Sequence, residues 1–226
     1  MIRYSSPPRP FFPLMPLATQ LCVGEGIELG ASAHNRFDLI GSRNASPYEG
    51  IFRKEFEFHA KIQDELCGAH ALADIHVENH QLPLPDHSLD YVISSHVVEH
   101  LPDVISAFVE WDRVLKYGGI VFMIVPLRDA LPEDRDRPLT TLDDIWDDYK
   151  IKHTVATHPI EGVPGGQGGH YHVFTLDLMV ELIQSLVAES LINWKIEVTE
   201  AKDSKVGNGF TVIARTCPPI EKRRRK

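Results

Sequence analysis

The stretch Leu82–Pro126, LPLPDHSLDYVISSHVVEHLPDVISAFVEWDRVLKYGGIVFMIVP, holds two strand-like runs on either side of one amphipathic helix. The first run, LDYVIS at Leu89–Ser94, is rich in β-branched and aromatic residues and is too short for a helix. From Val97 to Lys116 the pattern changes. Val104, Ile105, Phe108, Trp111, Val114 and Leu115 recur three and four apart, which turns one apolar stripe toward a sheet. Tyr117-Gly118-Gly119 closes that helix, because glycine accepts the left-handed turn favoured at helix ends. Ile120–Val125, IVFMIV, is a continuous apolar run of strand length, as expected of a strand covered on both faces, and Pro126 ends it. Strand, helix, strand in this order predicts a parallel βαβ unit.

Working upstream, Gly26–Gly30 (GIELG) reads as a short strand running into a turn, and Ala71–Val77 (ALADIHV) as another. Asn44-Ala45 is expected near a further strand, and Ile51–Leu66 looks helical. Downstream, Arg128–Tyr171 is a polar insertion containing PEDRDRP and GVPGGQGG, far longer than an ordinary connection. Residues 129–171 are therefore expected to act as a lid, with Gly162, Gly165, Gly166, Gly168 and Gly169 supplying hinge freedom. Thr175–Ala188 is an amphipathic helix with Thr175 placed to cap it. Trp194–Thr199 and Gly209–Arg215 are strands joined through Gly207-Asn208-Gly209, which suits an antiparallel pair added to a parallel sheet.

The 226 residues suit one domain, and 43% hydrophobic with 24% charged residues suffices for a single packed core. The formal charge is -9, and the tail Glu221–Lys226 carries five positive charges against one negative, so the remainder stands at -13. A body that acidic repels phosphate backbones, which argues against nucleic acid as a partner. The basic residues 218–226 read as a solvated tail. Residues 1–20 carry Pro7, Pro8, Pro10, Pro13 and Pro16, too many for a continuous apolar helix, so this segment is expected to be an irregular arm without a signal peptide or membrane span. Cys22, Cys67 and Cys217 are odd in number and far apart, which suits free thiols in the cytoplasm better than disulfides.

Three features fall in the order a nucleotide-type cofactor site requires. Glu28-Leu29-Gly30-Ala31-Ser32 places a carboxylate at a strand end before a glycine and small residues, which lets backbone approach a ligand; a sharp turn is the plainer alternative. Asp74-Ile75 ends the next strand, either to meet a cofactor's polar edge or as an exposed aspartate. The third is the stretch Leu82–Pro126 itself.

In the Leu82–Pro126 stretch the chain resembles the class I S-adenosylmethionine-dependent methyltransferases of the small-molecule type, through LPLPDHSLDYV, EHLPD, RVLKYGG and the closing proline; ELGA and the final strand pair extend the likeness over residues 24 to 215. The resemblance implies an α/β, Rossmann-like, seven-stranded, mostly parallel sheet with helices on both faces and an antiparallel last strand, filling residues 21–217. It implies S-adenosyl-L-methionine as cofactor. Glu28, Gly30, Ala31 and Ser32 would line its methionine end, Asp74 and Ile75 would frame the adenine, and Ser94, Ser95 and His96 would lie beside the sulfonium. The acceptor implied is a small molecule, a metabolite or a sugar. Two departures stand out: Ser32, Ala33 and His34 replace further glycines, and the acid expected to hold the ribose has only Glu49 or Asp38 as candidates.

Methyl transfer to a hydroxyl needs a base, and a histidine titrating near neutrality suits that task. His96 is the first candidate, with His170 and His172 after the glycine-rich run as the others; packing or solvation is the alternative for the latter pair. Arg128-Asp129, after the strand IVFMIV, is either a substrate-orienting pair or a surface ion pair. His96-Val97-Val98-Glu99-His100 also spells H-x-x-E-H, an inverted zinc-hydrolase pattern. That reading needs a regular helix, whereas this one starts at a strand end with Pro102 close behind, so no metal is expected. The competing function is a non-catalytic binding or regulatory module on the same fold.

Overall fold

The computed structural model describes residues 1–46, 53–77, 81–159 and 169–218. Seven strands, β1 (Gly26–Leu29), β2 (Ser42–Ser46), β3 (Ile75–His76), β4 (Leu89–Ser95), β5 (Leu115–Pro126), β6 (Trp194–Glu200) and β7 (Gly209–Thr216), form one sheet in the order β3-β2-β1-β4-β5-β7-β6. The pairings from β3 through β5 are parallel, and β7 enters antiparallel between β5 and β6. The antiparallel closing pair is as its short polar connection predicts.

Among the described residues five α-helices accompany the sheet: α1 (Pro16–Leu21), α2 (Arg53–Cys67), α3 (Val104–Val114), α4 (Leu142–Ile151) and α5 (Leu176–Ala188). The period-2 alternation of the strands splits the interior into two layers. Val92, Val121, Met123, Val125, Phe210 and Val212 face α3, α4 and α5. Tyr91, Ile93, Ile120, Phe122, Ile124 and Ile213 face Met15, Ala18, Phe37 and Leu39. Phe108 lies 5.1 Å from both Trp111 and Trp194, and the Trp194 Nε1–H donates to Asp112 at 2.8 Å, so a buried aromatic group keeps its polar edge satisfied.

The structure corrects the bounds of one helix and one strand. The helix expected from Val97 to Lys116 begins at Val104, because Asp103 accepts from Ser106 N–H and caps it there; a 3-10 turn, Val98–His100, fills the space before it. It ends at Val114 rather than at the glycines, since Leu115 is extended and opens β5, while Gly118 takes its positive φ of 84° inside the strand's irregular start. The strand expected over Ala71–Val77 is ladder-paired only at Ile75–His76. The N-terminal arm is ordered: Pro16 starts α1, and Tyr4 makes an antiparallel bridge to Ala71. Nor is the insertion wholly irregular. Thr141 and Asp144 form a reciprocal capping box that starts α4, and Ile145 enters the core. Among the described residues no helix is long and apolar enough to cross a membrane.

Candidate functional site

The register lines up one row across the sheet: Ile75, Ala45, Leu29, Ser94 and Met123 sit side by side on β3, β2, β1, β4 and β5. The chain leaves β1 at Gly30 and β4 at His96, on either side of the point where strand order reverses. Ligands of open α/β sheets bind in the crevice outside the carboxyl ends at this point.

On the β1 side the crevice is made of backbone. Gly30 adopts φ +59°, and a Cβ there would sit 3.4 Å from Val97, so the two strand tips nearly touch. Gly30 N–H donates to Ala45 O at 2.9 Å and Ala31 N–H to the Asn44 side chain at 3.0 Å. Asn44 in turn donates from Nδ2 to Leu72 O at 3.1 Å, tying three loops together. Asn44 carries no sequence motif, and its place on β2 beside the turn is what reveals its role.

Glu28 is 3% exposed, and its Oε2 has no hydrogen-bond partner among the described residues. Burial pushes its pKa up to about 8; Lys205 opposes the shift and Asp38 adds to it. Ser94 Oγ and Ser95 Oγ are likewise buried without partners among the described residues. Ser32 is half-buried on the same loop as Ala31, and Ile75 gives its side chain to the core.

Asp74 is held by the chain itself. Its Oδ2 accepts from Asn44 N–H at 2.9 Å and its Oδ1 from Arg3 Nε at 2.7 Å, while Arg3 Nη2 donates to Ala73 O. Ile2 packs on Ala31 and Ala71, so the arm lies over the β1–β3 side of the crevice. Burial and the charges of Glu28 and Asp38 hold the Tyr4 phenol above its usual range, which puts this ring at the same end. The two candidates for the ribose acid separate. Glu49 lies outside the described residues, and Asp38 precedes β2 rather than ending it, because the strand begins only at Ser42.

On the β4 side the crevice is made of ionisable side chains. His96 takes φ +55°, a left-handed conformation costing a non-glycine residue about 1–2 kcal/mol, and its N–H donates to Ile124 O at 2.9 Å. Burial lowers its pKa, with the Asp203 carboxylate opposing and His170 reinforcing, so the ring is neutral at pH 7. Asp203 accepts from the N–H groups of Lys205, Val206, Gly207 and Gly209 and so shapes the β6-to-β7 loop near this ring.

The H-x-x-E-H pattern does not form a metal-binding helix, since its residues span a strand end and a 3-10 turn. Instead Glu99, fully buried, faces His100 Nε2 at 3.7 Å and His170 Nε2 at 3.8 Å. Its backbone carbonyl accepts from Tyr171 N–H at 2.7 Å and His172 N–H at 3.3 Å, which stitches 170–172 to the β4 tip. His170 is thereby brought beside His96. His172 is not: it joins Asp148, with His153 and His158, in a second cluster under the insertion, and burial lowers its pKa to about 4. Sequence reasoning missed Asp134, which pairs with His170 Nδ1 from within PEDRDRP; there it resembles any solvated loop carboxylate.

An open doubly wound sheet, with a glycine turn after β1 and an imidazole-bearing tip on β4, defines a cofactor-binding α/β domain. A family model described as a methyltransferase domain matches residues 56–123. A probable S-adenosylmethionine-dependent methyltransferase of Mycolicibacterium smegmatis is 42% identical over 59 residues, which is 26% of this chain and 23% of that protein. A demethylmenaquinone methyltransferase of Staphylococcus epidermidis is 38% identical over 58 residues, 26% of this chain and 24% of the other. The matched segment thus spans about a quarter of the length of these curated relatives. A SAM-dependent methyltransferase of Methanosarcina mazei has the same fold, with a TM-score of 0.53 at 19% identity, covering 91% of this chain and 99% of that one. Over residues 56–123 the chain is similar to S-adenosylmethionine-dependent methyltransferases, and the fold around that segment is the one such enzymes have.

Proposed function

We propose that the chain transfers the methyl group of S-adenosyl-L-methionine to a small-molecule acceptor, a metabolite or a sugar. The observation carrying this reading is the pairing of the Gly30 turn with the His96 tip across the reversal of strand order. The residues present fit the cofactor. Glu28 Oε2, Ser94 Oγ and Ser95 Oγ are buried polar atoms without partners among the described residues, and Gly30 leaves backbone bare. Glu28, Gly30, Ala31 and Ser32 would hold the methionine portion, Asp74 and Ile75 the adenine end, and Ser94, Ser95 and His96 the region of the sulfur. When bound, the cofactor supplies an electrophilic methyl group.

The protein's part is alignment and exclusion of water. His96, neutral at pH 7, takes the acceptor's proton at a ring nitrogen, with His170 as the nearer alternative base and His172 the more remote one. The described parts of the insertion, 129–159 and 169–171, would cover the acceptor, since Tyr171 and the adjoining His172 are already hydrogen-bonded to the Glu99 carbonyl, whereas Gly162, Gly165, Gly166 and Gly168 lie outside the described residues. For the adenine to reach Asp74, Arg3 must give way; its side chain is 63% exposed and free to do so.

Calorimetric titration with S-adenosylmethionine and its demethylated product tests the first half, and transfer of a radiolabelled methyl group to fractionated metabolites tests the second. Absence of cofactor binding would favour the non-catalytic module. Binding without transfer to any small-molecule pool would refute the acceptor class.

A further inference from the structure

The Glu99 carboxylate is the least satisfied group in the described molecule. It is fully buried, and neither oxygen has a hydrogen-bond partner among the described residues. Two imidazole nitrogens face it, His100 Nε2 at 3.7 Å and His170 Nε2 at 3.8 Å from Oε1, and the three atoms all lie within 4.8 Å of one another.

The opposite ring nitrogens decide where the protons are. His100 Nδ1 donates to Gly169 O at 3.1 Å, and His170 Nδ1 donates to the Asp134 carboxylate. An acceptor on Nδ1 holds the proton there and leaves a lone pair on Nε2. Three electron-rich atoms therefore converge in a buried space, at separations beyond hydrogen-bond length. A tetrahedral ion with bonds of about 2.0–2.2 Å sets its ligands roughly 3.4 Å apart, close to what is found. A carboxylate and a carbonyl behind the two histidines form the outer support that metal-ligating imidazoles require.

We propose that Glu99, His100 and His170 bind one divalent cation of the zinc class. Two imidazoles and one carboxylate suit zinc or cobalt better than the oxygen-seeking magnesium or calcium. The ion clasps the insertion, through His170 and its positioning partner Asp134, to the tip of β4. Its remaining coordination position opens beside His96, whose Nδ1 lies 4.0 Å from Glu99 Oε1. The site stands independently of methyl transfer with His96 as base; an ion-bound His170, its Nδ1 held by Asp134, could not serve as the alternative base.

The second histidine cluster, Asp148, His158 and His172, also brings three possible ligand atoms within 4.8 Å of one another and is the competing site. Asp148 already accepts from His153 Nδ1 at 2.9 Å and faces His158 Nε2 at 3.4 Å, so its carboxylate is satisfied by its own neighbours.

The test uses the full chain, stripped with a chelator, dialysed, and titrated with Zn2+ by calorimetry and with Co2+ by visible absorption. The expected result is a site of submicromolar affinity, a tetrahedral Co2+ spectrum and a higher Tm with metal. His100→Gln, at a side chain one-third exposed, should weaken binding at least tenfold. Asp134→Asn should weaken it about 10–100-fold as an outer-shell change. Asp148→Asn should leave this site unchanged. Should His170→Gln fail to fold, the His100 and Asp134 variants still decide. The proposal is overturned if the native chain binds neither ion below micromolar concentration, or if binding survives His100→Gln and disappears with Asp148→Asn.

Discussion

The two halves of the crevice are built on different principles. The β1–β3 half is made of backbone and small side chains held by hydrogen bonds such as that from Ala31 N–H to Asn44 Oδ1, with one unpartnered carboxylate oxygen on Glu28 among the described residues. The β4–β5 half presents imidazoles and carboxylates from positions 96, 99, 134 and 170, with a left-handed backbone at His96. The first half is suited to holding a ligand in one pose, and the second to moving a proton and adapting to an acceptor. The division matters because the fold alone does not fix the reaction.

The sharpest division is expected from His96→Ala. It should lower methyl transfer to an acceptor found by the labelling screen by about 10²–10⁴-fold while leaving the cofactor Kd unchanged; a parallel rise in Kd would erase the boundary between the halves. Next in size, Asn44→Ala leaves Ala31 N–H and Leu72 O unpaired in a buried place. Urea denaturation should show a loss of about 1–3 kcal/mol, together with weaker cofactor binding.

Glu28 gives a subtler signal. With its pKa at about 8 it is mostly neutral at pH 7, and a cationic ammonium beside it would favour the charged form. Cofactor binding at pH 7 should therefore release a proton, read as a dependence of binding enthalpy on buffer ionisation enthalpy, and Glu28→Gln should abolish it. In the free protein the raised pKa favours folding below the unfolded value of 4.5, and this contribution is lost as pH climbs through about 8. Glu28→Gln should accordingly flatten the fall of Tm over that window. Smallest of all, Arg3→Ala breaks an exposed pair worth at most about 1 kcal/mol, so Tm should barely move while cofactor affinity rises a few-fold. Unchanged affinity would mean that the arm does not compete with the ligand.

The β1 turn and the β4 strand were legible because their signal is local: ELGAS supplies a strand end and a positive-φ glycine within five residues, and LDYVIS matches β4 almost residue for residue. The strand pair Trp194–Glu200 and Gly209–Thr216 was legible for the same reason. What escaped depends on contacts between distant positions. Asp134 meets His170 across 36 residues, and Arg3 meets Asp74 across 71, distances over which no periodicity extends. The start of α3 was misplaced because Val97 and Val98 fit a helical stripe, yet the Asp103 side chain competes for the backbone and sets the boundary further on.

The grip of Arg3 on Asp74 makes ionic strength a control on ligand uptake. Dissolved salt loosens an exposed guanidinium–carboxylate contact but leaves the neutral amide bonds of Asn44 intact. Association with the cofactor should then quicken in concentrated buffer, opposite to the slowing seen where long-range attraction guides two charged molecules together.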